Sequence, residues 1–123
     1  MKRIRFSKCM TNAHNGEEWA KISNRKVGDE FTTFRAYSIS KHTYYESMVK
    51  QDVEIESFGH MCGTATLMKV EVKLHDQVTD EEIKADTFPD ATREMFDELM
   101  IRFYKRPDIV LLKLTMAWKT VAP

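Results

Sequence analysis

The chain has few glycines, few cysteines and no excess of either charge. Only four glycines occur in 123 residues, and they are scattered. No Gly-rich loop is present to cradle phosphates, and no cofactor is expected. Two cysteines, Cys9 and Cys62, are too few for a disulfide scaffold and read as reduced thiols. Lys plus Arg and Asp plus Glu balance at 19 each. Such neutrality argues against strong non-specific attraction to duplex nucleic acid, while leaving room for a local basic patch. No run approaches the roughly 18 apolar residues of a membrane span. The N-terminus interleaves charges with apolar residues, unlike a signal peptide. The expectation is a cytoplasmic protein with no membrane association.

What is present describes one ordinary globular domain over residues 1–123, with 42% apolar residues. Residues 3–7 alternate as a short half-buried strand. Residues 16–23 read as a short helix with Trp19 and Ile22 inward. Residues 30–37 have apolar groups on both faces, which predicts a central or barrel-closing strand. Residues 38–52 have no clean period and read as a long loop, a kind of segment that often carries function. Residues 53–58 form a strand, and the stretch from Gly59 to Gly63 predicts a bend or bulge. Residues 64–74 are the longest strand pattern, with Thr66, Met68, Val70, Val72 and Leu74 on one face and Ala65 and Leu67 on the other, so the first half is expected to be buried on both sides and the second half on one. Thr79 and Glu82 make a capping box for a short helix ending near Asp86. A second helix is expected over residues 91–105, with Asp90 as its cap and Pro107 as its stop. Residues 109–118 form the final strand. Met68, Met95, Met100 and Met116 are expected on core faces. The predicted class is α+β, a small, mostly antiparallel β-barrel with two or three flanking helices.

Three sets of residues resemble the ASCH domains of the PUA-like superfamily. They are Val27-Gly28-Asp29 leading into a strand, Gly63-Thr64-Ala65-Thr66 opening a long strand ahead of Asp80-Glu81-Glu82, and Phe103-Tyr104 before the last apolar strand. The resemblance implies a PUA-like pseudo-barrel with a cleft beside it for RNA, a modified base or a nucleoside. Some members resemble small amidohydrolases acting on acylated cytidine. They carry a Lys-Thr-x-Thr-x-Arg loop before the Val-Gly-Asp turn and a glutamate near the second helix. The nearest residues here are Lys21, Ser23 and Arg25, at a different spacing, with Asp86 and Asp90 in place of the glutamate.

The candidate residues follow from this reading. Lys21 is the candidate catalytic base or nucleophile, with Ser23 as its hydroxyl partner; the alternative is a plain surface pair. Arg35 suits bidentate phosphate or carboxylate binding, against a structural pairing with Glu30 or Glu54. Lys41, His42, Tyr44 and Tyr45 form the cluster suited to single-stranded nucleic acid, since aromatic faces stack bases and cations hold phosphates. The alternative has the tyrosines packed back on the barrel. Cys9, His14, His60 and Cys62 are a legal zinc set, but their spacing matches no common zinc motif, and no metal is expected. Three functions remain open: an RNA, single-strand or modified-nucleotide binding module, a hydrolase of an acylated cytidine-type nucleoside, and a protein-interaction effector.

Overall fold

The computed structural model describes residues 1–6, 26–57, 60–86 and 90–122. Strand β1 is Arg3–Phe6, β2 is Glu30–Ala36, β3 is Asp52–Ser57, β4 is His60–Lys73 and β5 is Leu111–Val121. Helix α1 is Ile39–Glu46, α2 is Asp80–Asp86 and α3 is Arg93–Tyr104. The helix expected at residues 16–23 lies outside the described residues.

The strands form one mixed sheet in the order β1-β3-β4-β5-β2. β1 runs parallel to β3, and the other pairings are antiparallel, so the mostly antiparallel expectation holds. The sheet curls into a partial barrel. Its two end strands approach each other: the Phe6 ring of β1 lies 6.3 Å from Phe31 of β2. Among the described residues no ladder joins β1 to β2, and side chains make the contacts between them.

The inner face holds the main core, with Ile4, Phe31, Ile55, Leu67, Leu114 and Trp118 among its members. Phe31 stacks on Trp118 at 4.7 Å. The outer face of β2 and β5 carries a second core where α2 and α3 pack, centred on Phe34, Ile83, Phe96 and Leu111. β2 therefore stands at an end of the sheet yet is buried on both faces. Its two-sided apolar pattern marked barrel closure, not a central position.

Two bulges reset the alternation of β4. Its pairing with β3 shifts between Ile55 and Glu56, which leaves Cys62 as the extra residue beside Gly63. Gly63 has φ +143, and a Cβ there would collide with the Thr120 carbonyl oxygen. Only glycine allows that approach. The pairing with β5 slips between Leu67 and Lys69, so Met68 is extruded. Ala65 and Leu67 are buried as expected, but the other expected face is corrected: Met68 is 47% exposed, and Val72 and Leu74 are also exposed. Of the methionines expected in the core, Met100 and Met116 are buried, while Met95 joins Met68 at the surface.

The expected loop at residues 38–52 is a second correction: α1 occupies most of it. Ser38 caps α1 by accepting from the Lys41 amide at 3.1 Å. No residue of α1 is fully buried, so it needs no apolar stripe and shows none in the sequence. The α2 capping box forms as expected, with Glu82 N donating to Thr79 Oγ1 at 3.1 Å and Thr79 N to Glu82 Oε1 at 3.0 Å. α3 is capped by Thr92, not Asp90. It ends at Lys105, which adopts φ 71, ahead of Pro107.

Candidate functional site

A cleft of about 110 Å³ lies beside β2, walled by Arg5, Arg35, Asp86, Leu99, Phe103 and Tyr104. Local sequence places each wall. Arg35 comes from the last turnings of β2, and Arg5 from β1 across the seam. Asp86 closes α2, three residues after buried Ile83, and therefore shares its inward side. Leu99, Phe103 and Tyr104 come from the C-terminal half of α3, at helical spacing.

The polar groups differ in how they are held. Arg35 Nη2 donates to the Arg5 carbonyl oxygen at 2.9 Å. Its guanidinium carbon stands 5.2 Å over the Phe6 ring, a cation–π contact. Its Nε is buried and has no hydrogen-bond partner among the described residues. The structural pairing considered for Arg35 is not made: Glu54 is bound instead by Arg3 at 2.9 Å, and Glu30 is exposed. Asp86 is only 2% exposed, a buried carboxyl group at the cleft wall. Burial pushes the Tyr104 hydroxyl above its ordinary range, opposed by a backbone hydrogen bond at Ala36 and by the Arg35 charge. Tyr104 is thus a neutral phenol at physiological pH, able to donate or accept.

The five expected ligand-binding residues divide into two groups. Arg35 lines the cleft. Tyr45 packs against the inner core and is close enough to Tyr104 to act on it electrostatically. Lys41, His42 and Tyr44 lie on α1 with Tyr45 but belong to neither core. Lys41 is exposed, and His42 sits 3.4 Å from Glu46 and edge-on to Tyr37. Tyr44 is 42% exposed, with Lys2 Nζ 4.5 Å from its ring. The pair Tyr44 and Tyr45 meet edge to face at 5.5 Å, one packed and one open.

Lys21 and Ser23 lie outside the described residues, as do Cys9 and His14. Among the described residues, no cluster of three or more His, Cys, Asp or Glu side chains could hold a metal ion. His60 is exposed while Cys62 is buried in the bulge. The residues that sequence reasoning passed over are Asp86 and Tyr104 as neighbours in one site. The spacing of Asp86 from Ile83, and of Tyr104 from Met100, was the available signal. Nothing local brings α2 and α3 to the same cleft.

No protein-family model matches the chain, and no curated protein matches its sequence. A solved structure does match in fold: protein EF3133 of Enterococcus faecalis, described by the DUF984 family model. The superposition has a TM-score of 0.59 and 18% identity, and covers 99% of this chain and 82% of that one. The likeness shows a shared α+β fold with a curled sheet. Among the described residues, no helix is long and apolar enough to cross a membrane.

Proposed function

We propose that this chain is a binding module for single-stranded RNA or a modified nucleotide, of the ASCH, PUA-like kind, acting in the cytoplasm. One base enters the cleft beside β2, and flanking nucleotides run over α1. The observation that carries this reading is the buried Arg35 Nε with no partner among the described residues, at the wall of an aromatic-sided cleft. A buried donor left unpaired costs about 1–3 kcal/mol, which an acceptor on a ligand recovers. At about 110 Å³ the cleft is smaller than the roughly 150 Å³ cavity that encloses benzene, so it takes the edge of one base and leaves the rest of the nucleoside outside. Exposed Tyr44 and Lys41 supply a stacking face and a phosphate contact outside it.

The test is a titration of isotope-labelled protein with oligocytidylate and with cytidine monophosphate at low salt. Amide shifts are expected at residues 35–45 and at Tyr104. Arg35→Gln should weaken binding about tenfold or more, the worth of one charge-assisted hydrogen bond. Absence of shifts with both probes would sink the reading.

One observation favours the second reading, hydrolysis of an acylated cytidine-type nucleoside. Asp86 is a buried acid in the cleft, where the resemblance expects a glutamate. In that case Lys21 and Ser23 complete the site. Release of cytidine from an acylated cytidine, lost in Lys21→Ala and in Asp86→Asn, separates this reading from binding alone.

A further inference from the structure

β1 and β2 stand at opposite ends of the strand order. Among the described residues, Arg35 and the Phe6–Phe31 ring contact join them across the seam. Arg35 Nη2 bonds the Arg5 carbonyl oxygen at 2.9 Å, and the guanidinium lies 5.2 Å over the Phe6 ring. Phe6 is itself 3% exposed and 6.3 Å from Phe31 of β2. Arg35 also lines the cleft, and its Nε is buried there without a hydrogen-bond partner among the described residues.

We infer that Arg35 is a latch across the seam of the partial barrel, that Phe6 positions it, and that filling the cleft tightens it. The latch stands on the geometry alone; its tightening rests on the binding reading above. A guanidinium is rigid and planar, so Nε and Nη2 turn together. One hydrogen bond and one ring face now hold that plane to β1. An acceptor at Nε fixes it at a second point, which favours the rotamer that reaches Arg5. Binding and seam closure then promote each other by the same factor, because the linkage is reciprocal. A lysine cannot substitute, because its ammonium is a point charge without the second, geometrically fixed donor.

The experiment is hydrogen exchange on the full chain, first without ligand. Arg35→Lys keeps the charge, and Phe6→Leu keeps apolar bulk but removes the ring face. In both, exchange in β1 and β3 should quicken by roughly tenfold relative to α3, as expected for one lost charge-assisted hydrogen bond. An unchanged ratio in both variants overturns the latch. Oligocytidylate is then added to saturation. Wild-type β1 should slow severalfold, and Arg35→Lys should not slow. Shifts at Tyr104 without slowing of β1 overturn the coupling. No shift at Tyr104 overturns the binding reading and the coupling with it, while the ligand-free comparison still decides the latch.

Discussion

Replacing Glu82 by Gln isolates one buried charge at the joint between α2 and the sheet. Glu82 Oε2 lies 2.8 Å from Lys113 Nζ and 3.3 Å from Lys73 Nζ, while Oε1 accepts from the Thr79 amide. The side chain is 12% exposed. Burial by itself would raise the carboxyl pKa. The Lys113 hydrogen bond, the Thr79 amide and the Lys113 charge outweigh it and pull the value from 4.5 down to about 2. At about 1.36 kcal/mol per pH unit, that displacement sets a ceiling of about 3.4 kcal/mol. The Lys73 and Lys113 side chains are 22% and 17% exposed, and this partial solvent access brings the expected contribution to about 1–2 kcal/mol. Glutamine retains the Oε1 acceptor, so the capping box survives and only the charge is lost. Because the folded-state value lies below the unfolded one, the contribution is complete above a pH of about 5 and is lost as the pH falls toward about 2. Urea unfolding across a pH series measures it. Wild type should exceed Glu82→Gln by about 1–2 kcal/mol at neutral pH, and the gap should shrink by more than half by about pH 3. A gap that stays constant across that range, or no gap at neutral pH, would refute the reasoning.

Three further outcomes are expected. Gly63→Ala should cost about 3–4 kcal/mol in urea unfolding, because it adds both a disfavoured φ and a backbone clash at the Thr120 carbonyl. Ser38→Ala should remove about 1 kcal/mol from α1, read as faster amide exchange confined to residues 39–46, with the barrel amides unchanged. Tyr44→Ala should cost about 1 kcal/mol of stability, since its half-exposed ring loses only the edge contact with Tyr45 and the Lys2 cation. In the titration described above, the same change should weaken oligocytidylate binding about tenfold, and equal affinity would remove Tyr44 from the surface.

Legibility in the sequence followed the range of the interaction. The Thr79 and Glu82 capping box sits within four residues and formed as expected. The apolar alternation of β5 was equally plain, because Leu112, Leu114, Met116 and Trp118 all face the inner core. α1 was misread as a loop because it buries nothing deeply, so burial left no periodic mark on its residues. The extruded Met68 inverts the alternation of β4, so Ala65 and Leu67 before it and Val70 after it face the inner core, and no single period of two over residues 64–74 describes that face. Arg35 was singled out from its strand position, but its bond to the Arg5 carbonyl spans thirty residues of chain and has no local signature. Asp86 and Tyr104 could each be placed on an inward helix face, though not beside one another.

The sequence by itself determined the class of the fold, the existence and type of most strands, and the start of α2. Those depend on propensity, period and capping, which act over a few residues. Tertiary structure alone decided which strands stand at the ends of the sheet and where the bulges fall. It also decided that Arg5, Arg35, Asp86 and Tyr104 share a cleft. The physical reason is that the curl of the sheet brings β1 to β2 through side chains. Contacts between distant segments leave no periodic trace in the residues that make them.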